Sequence, residues 1–510
     1  MAHYLQAAQR GCVLWLLLLL VSNTHPARAQ DEALELVAPT FAYTKPADKD
    51  YVRAMLELTG VVTFGFLWYV TQTDIVRDYD VGYSWPVFRR KLLGQAFDLD
   101  TNAFGTNFVG HPIGGTLYYL TARSNRLSVA ESFGIAVGGS LLWEFFGEVH
   151  EIVSANDMLV TPLAGASIAE PMLQLGAFFD RSAPRLHNRI LGVLFAPLKS
   201  LNDLLDDRTP ARSQELSRDG FPLDEWHQFD LRTVAATTFQ EPPAHGADTH
   251  VSHELRLSLA AQLTRLPGYD TAGNHSLVFD DANASSMALD LALSNAGLVD
   301  LDFLTQFVFV GHYFRAARYD AAGRLWGQGT QVGLSSGYRY TVHDYDRDRV
   351  RPIDRIASVQ PLGLVFEHRA ALGLWHIVTR IAAGADFGGV RPYAAREYQQ
   401  HPADVVLPVV LDEHLYYFAL GGHVLSSLNV AMGLVEASAK LGFESYSALG
   451  TPIDISDRRS LLEARAGCGL GSTALRLSLV GQRRTRAGRM GTARAGRTEM
   501  SLGIELGARY

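Results

Sequence analysis

The sequence predicts an α+β multidomain chain, with an N-terminal helical domain followed by a C-terminal antiparallel transmembrane β-barrel of about 12 strands. Three observations carry that expectation. The C-terminal half alternates apolar and polar residues with a period of two. Its alternating runs are about 9–11 residues long, the length of a tilted membrane strand. The segment before residue 199 lacks that period and carries unbroken apolar runs instead.

Composition narrows the class first. Of 510 residues, 19% are charged and 47% hydrophobic, and the mean hydropathy is +0.03. Soluble domains carry roughly 25% charged residues. These values exclude a disordered chain, a coiled coil and a polytopic helical membrane protein. A large globular protein or a barrel, whose apolar residues are diluted by alternation, remains. The net charge of −8 offers no basic surface, so nucleic acid is not expected as a partner.

The first element is a leader. Arg10 closes a short polar start, 12–21 (CVLWLLLLLV) is unbroken apolar, and Ala27, Arg28 and Ala29 form a small-x-small cleavage site. The run falls well short of the ~20 residues a membrane span needs. Residues 1–29 are therefore expected to be a cleaved signal peptide. Of the two cysteines, Cys12 leaves with it and Cys468 stays, which excludes an intrachain disulfide and a cysteine-based metal site.

Residues 30–198 read as a helical domain, periplasmic or plugging the barrel. Runs 58–70 (LTGVVTFGFLWYV) and 133–143 (FGIAVGGSLLW) are Gly-bearing and bounded by Glu57 and Glu144, too short to span and expected as buried helices. Polar residues 199–227 read as a linker.

The barrel is expected over 228–510. In the last run Met500, Leu502, Ile504, Leu506, Ala508 and Tyr510 share one parity, and Glu505 and Arg509 the other. Similar alternation marks strands near 228–240, 250–265, 286–297, 299–314, 328–342, 355–368, 372–387, 412–424, 428–444, 459–470, 473–484 and 497–510. Charged residues inside and aliphatic residues outside invert the surface of a soluble sandwich. Short connections are expected at Ser427-Leu428 and at 470–472, and long ones at 389–411, 445–458 and 485–496. The long segment 266–285 breaks this alternation of loop lengths: a strand there is miscounted, or one short-side loop is long. Ending on the outward aromatic Tyr510 resembles the assembly signal of bacterial outer-membrane barrels, so outer-membrane lipid and the barrel-assembly machinery are the expected partners.

Between 107 and 170 polar residues are embedded in apolar sequence: NFVGHPIGGTLYYLTAR, ESFGIAVGGSLLWEFFGEVHE and SANDMLVTPLAGASIAEP. His111, Pro112, Gly115, Tyr118, Tyr119, Ala122 and Arg123 form one motif. Gly139, Ser140, Trp143, Glu144 and Glu148 form a second, and Ser154, Asn156 and Asp157 a third. This set resembles an uncharacterised bacterial outer-membrane family, domain of unknown function 3943, over roughly residues 75–230. A departure is Ala169 before Glu170, where the family pattern has Gly. The resemblance implies an outer-membrane location and no activity.

Glu144, Glu148 and Glu151 are spaced i, i+4 and i+7, on one helix face. Buried carboxylates must be paired or protonated, and His111, Arg123 and His150 are the candidate partners. One reading is acid–base or metal chemistry through His111, Glu144, Glu148 and His150; the other is a structural network. No His-x-x-x-His spacing exists, so no metal and no cofactor are expected. Ser154 and Asp157 have capping-box spacing, and Thr161-Pro162 reads as a second helix start. The expected role is a non-enzymatic structural component or a facilitator for small or lipidic molecules. The alternative is an outer-membrane hydrolase using the His111/Glu144/Glu148 cluster.

Overall fold

Twelve strands close on themselves, and each pairs antiparallel with both neighbours. The computed structural model describes residues 41–44, 48–71, 84–148, 151–240, 250–295, 297–345, 353–471 and 474–510, so the expected signal peptide and His150 lie outside the described residues. The barrel strands are β1 (Trp226–Gln240), β2 (His250–Thr264), β3 (Ala284–Ser294), β4 (Gly297–Tyr319), β5 (Leu325–His343) and β6 (Asp354–Leu372). They continue as β7 (Trp375–Val390), β8 (Tyr417–Met432), β9 (Val435–Ala448), β10 (Ile455–Gly469), β11 (Leu475–Met490) and β12 (Ala493–Arg509). Closure comes from β12 pairing with β1, Glu499 opposite Gln240 through Arg509 opposite Asp230. With no free edge, each strand finds its backbone partners within the sheet, as lipid requires.

Loop positions differ from the expectation in two places, and the structure decides between the two readings of a third. The β8–β9 turn is at Gly433-Leu434, and Ser427 and Leu428 lie within β8. Gly433 takes φ +60, which a side chain rarely adopts, so the turn settles there. The segment 485–496 is no long loop, because β11 and β12 run up to a tight turn at Gly491 (φ +57). The anomaly at 266–285 is a long loop and not a miscounted strand. It carries an additional short strand, Gly273–Phe279, paired to the far end of β4.

The lumen is packed. Arg465 bridges Glu463 (3.0 Å) and Glu505 (3.1 Å), while Arg476 and Arg509 share Glu436 (2.6 and 2.9 Å). Arg256 reaches across to Gln482 (2.8 Å), and Arg486 lies between Asp354 (2.9 Å) and Asp457 (2.8 Å). Charges of both signs pair throughout the lumen, which offsets part of the desolvation cost each would carry alone. Loop 391–416 covers one mouth, with Tyr393 under the Arg486 guanidinium (5.2 Å) and Tyr398 in an apolar cluster with Tyr417 and Met490. At the other mouth Arg369 lies over Trp226 (4.3 Å) and Tyr269 (4.5 Å), and Tyr269 donates to Glu367. Two lumen cavities measure about 10 and 20 Å³, room for about one water each.

The helical region is α1 (Tyr51–Thr71), α2 (Trp85–Leu92), α3 (His111–Ser124), α4 (Val129–Leu142), α5 (Ala155–Arg181), α6 (Leu186–Phe195) and α7 (Pro197–Leu205). Single π-helical turns precede α3 (Thr106–Gly110) and follow α4 (Trp143–Gly147). Ser154 caps α5 by accepting from Asp157 N (3.1 Å), so Pro162 sits inside this 27-residue helix and does not start a new one.

These helices pack on the outer wall of the barrel. In β4 and β5, Asp302 and Arg339 point into the lumen, where they pair. Phe303, Tyr338 and Tyr340 have the opposite parity and therefore point out. Those outward residues, with Ala357, Val359, Phe387 and Phe418, form one core with Phe104, Phe108, Val160 and Ala164. Ser167 of α5 bonds outward-facing Ser336 (2.9 Å), and Phe178 and Phe179 pack on outward Phe229 and Leu263. The expectation of a lumen plug is corrected accordingly: the lumen is filled by the barrel's own charged side chains, and the outward face of β1–β8 supplies the apolar surface on which the helical region packs.

The two apolar runs are likewise not buried. Helix α1 is 21 residues long with 11% of its apolar window buried, and Phe64 and Trp68 are 70% and 64% exposed. Val129–Gly147 is 19 residues long with 33% buried. Both are long and apolar enough to cross a membrane. Helix α1 runs through Glu57, its expected boundary, back to Tyr51: Glu57 accepts from Asn125 (2.9 Å), and Arg53 pairs with Asp206 (2.6 Å). The expected linker also begins inside structure: α7 crosses residue 199, and Lys199 is buried between Asp180 (2.5 Å) and Asp203 (2.7 Å).

Candidate functional site: two buried polar networks on the barrel wall

Helices α3 and α5 cross with backbones in contact, and glycine makes this possible. A Cβ on Gly115 would overlap the Thr161 carbonyl, and one on Gly165 would overlap Gly115. The crossing places two polar networks at opposite ends of α3.

At the C-terminal end of α3, Arg123 forms a two-pronged pair with Glu170 (2.9 and 3.0 Å) and also reaches Asp281 (2.7 Å) in the loop after β2. Tyr119 donates to Glu170 (2.7 Å), and Gln174 donates to it (2.9 Å) and to the Ala282 carbonyl (2.6 Å). Glu170 is 0% exposed and Arg123, Tyr119 and Gln174 all donate to it, so the network is a neutralised clamp between bundle and barrel. Arg123 thus pairs with Glu170, not with the glutamates of the second motif.

At the N-terminal end lie most of the candidate residues. Glu144, Glu148 and Glu151 are all buried, but they do not form a ladder on one helix, since the chain turns at Glu148 (ψ 71) after the π-helical turn. Glu144 accepts from Ser154 N (2.8 Å), Glu148 from Trp143 Nε1 (2.9 Å) and Glu151 from Tyr69 (2.7 Å). Lys91, which the sequence did not single out, donates to the carbonyls of Glu144 and Glu148 (2.8 Å each) and holds the turn. Burial and its two acidic neighbours, Glu144 and Glu151, push the Glu148 carboxyl well above the usual carboxylate range.

His111 follows Gly110, and Pro112 sits in the first turn of α3, where no N–H is needed. His111 Nε2 lies 3.3 Å from Asp157 Oδ2. Asp100, before the first π-helical turn, completes a group whose ligand atoms lie within 4.8 Å of one another. Asn156 joins the members, accepting from Asp100 N (2.9 Å) and donating to Asp157 Oδ1 (2.9 Å). Asn107 donates to Asp100 (2.6 Å) and to Tyr416 of loop 391–416 (2.9 Å). The expectation of no metal rested on ligand spacing along one segment; here the three groups come from three segments. Sequence reasoning missed Asp100 and Tyr416, whose roles depend on contacts far along the chain. Ser154 Oγ is engaged as the cap of α5, accepting from Asp157 N.

The centres of both networks, though not Tyr69, Lys91, Asp281 and Tyr416 at their edges, fall in one matched segment. Residues 96–198 match the family Domain of unknown function (DUF3943). The DUF3943 segment therefore holds His111, Arg123, Glu144, Glu148, Asp157 and Glu170, and stops before the barrel. No curated protein matches. Among solved structures, the chain is similar to a loop-deletion mutant of OmpT from Vibrio cholerae (9% identity, 56% of this chain, 99% of that chain, TM-score 0.17). Others are the autotransporter BrkA β domain of Bordetella (14%, 55%, 98%, TM-score 0.22) and the NalP translocator domain of Neisseria meningitidis (8%, 56%, 88%, TM-score 0.19). Likeness this slight carries no argument; the barrel is established by its own closed pairing.

Proposed function

We propose that the chain is a non-enzymatic outer-membrane barrel that works at its lipid-facing wall, not through its lumen. The observation that carries this is the division of surfaces: the lumen is filled with ion pairs and covered at both mouths, whereas the DUF3943 helices extend the protein sideways from the outward face. Helices α1 and α4 present apolar residues away from the barrel, so the bundle lies in the bilayer beside the strands and not in the periplasm. Helix α6 adds an exposed stripe of Leu186, Ile190, Val193 and Leu194 at the end bearing Tyr510, suited to the membrane interface. The role is structural, or lateral handling of lipidic molecules. The hydrolase alternative would have Glu144 and Glu148 meet a substrate, and both are buried, as is Asp157.

Single-channel recording on the purified protein in planar bilayers tests the reading. Steady conductance steps are not expected. Stable ohmic channels at low voltage would refute it, because a filled lumen conducts no solute.

A further inference from the structure

We infer that Asp100, His111 and Asp157 bind a divalent transition-metal cation. The clustering of three ligating groups would by itself say little; the unsatisfied atoms within it say more. Asp157 has a side chain 1% exposed, and its Oδ2 has no hydrogen-bond partner although Oδ1 is held by Asn156. His111 Nε2 faces that oxygen and also lacks a partner, so the 3.3 Å approach is not a hydrogen bond. Asn107 Oδ1 beside Asp100 is buried and unpartnered as well. Buried polar atoms in native proteins nearly always have partners, and an unexplained set of them implies an ion or water.

The spacing favours an ion. Two ligands on adjacent corners of a tetrahedron with bonds of about 2.1 Å stand about 3.4 Å apart, close to the His111–Asp157 separation. All three groups place a ligand atom within 4.8 Å of the others, close enough for a bound ion to draw them into one coordination sphere. Charge agrees: the carboxylates of Asp100 and Asp157 meet here beside His111. A divalent ion would offset this excess.

The surroundings are those of a metal site's supporting shell. Asn102 and Asn107 donate to Asp100 and aim its carboxylate, Asn156 fixes Asp157, and Tyr416 donates to the Asn102 carbonyl (2.7 Å). One imidazole with carboxylates suits zinc, manganese or iron(II) better than magnesium or calcium, which prefer oxygen alone. Bound there, the ion would tie the π-helical turn, α3 and α5 together beside loop 391–416. This inference stands apart from the lipid-wall reading.

The test is metal titration of the full chain in detergent, prepared without a polyhistidine tag and stripped with EDTA. Zinc is followed by calorimetry and cobalt(II) by its visible absorption. One saturable equivalent is expected in the wild type, with affinity at least tenfold weaker in His111→Gln and Asp157→Asn at unchanged heat-modifiable migration. The absence of a saturable equivalent in the wild type overturns the inference, and so does equal affinity in a correctly folded His111→Gln. Should Asp157→Asn fail to fold, the wild type and His111→Gln decide it.

Discussion

Replacing Arg123 by Met probes the clamp between the bundle and the barrel. The substitution keeps length and apolar packing but removes both prongs of the pair with Glu170 and the contact with Asp281. Glu170, 0% exposed, would keep donors only from Tyr119 and Gln174. Removing one partner of a buried pair typically costs about 3–5 kcal/mol, because the remaining charge is uncompensated. Glu170→Gln in the same chain removes that charge, and the double variant should recover about 1–3 kcal/mol of the loss. Urea unfolding in detergent micelles, followed by limited proteolysis within 96–198, measures both values. An Arg123→Met chain within about 1 kcal/mol of wild type would refute the clamp. A double variant no more stable than the single one would refute the pairing with Glu170.

Gly115→Leu should separate α3 from α5 and expose the helical region to protease while the barrel persists, since the new side chain meets the Thr161 backbone; unchanged proteolysis would contradict the crossing. Raising pH should weaken the helical region. The folded-state carboxyl of Glu148 lies above its unfolded value, so its contribution is fully present below the ordinary glutamate range and is lost as pH rises toward the folded value. Glu148→Gln should flatten that dependence, read as unfolding midpoint against pH from 5 to 9. Deleting Gly503–Tyr510 should abolish insertion, because it removes pairing to both β1 and β11, including the mutual bonds of Tyr510 and Phe229 (3.0 and 2.8 Å); Tyr510→Phe should insert normally in a membrane-fractionation assay.

The barrel was legible because its two-residue period is dictated by one lipid face and one lumen face. Each of the twelve expected strands has a counterpart, and Leu255, Leu257 and Leu259 are exposed opposite the charged Glu254 and Arg256. Errors came where alternation gave no landmark: Ser427-Leu428 looked like a turn, but the φ +60 of Gly433 decided the position. The helical region was legible in its motifs and not in its placement. Phe303, Tyr338 and Phe387 look like lipid-facing strand residues, and nothing local distinguishes an outward aromatic that meets lipid from one that meets Phe104 or Phe108. For the same reason Glu57 looked like a helix end, since its partner Asn125 lies far along the chain. His111 and Asp157 stood out as polar residues in apolar sequence, but Asp100 joins them only through tertiary structure.

The central claim is that the DUF3943 helices lie on the outer wall of a filled barrel, and a pair of cysteine cross-links tests it most directly. In a Cys468→Ser background, Ser167→Cys with Ser336→Cys places two thiols where the native hydroxyls are 2.9 Å apart on the outward face of β5. Ser335, one residue earlier, points into the lumen, where it accepts from Gln360 (3.1 Å). Mild oxidation of membranes should join 167 to 336 and leave 167 with 335 unjoined. Efficient joining of 167 to 335, with none to 336, would put α5 inside the barrel and contradict the account.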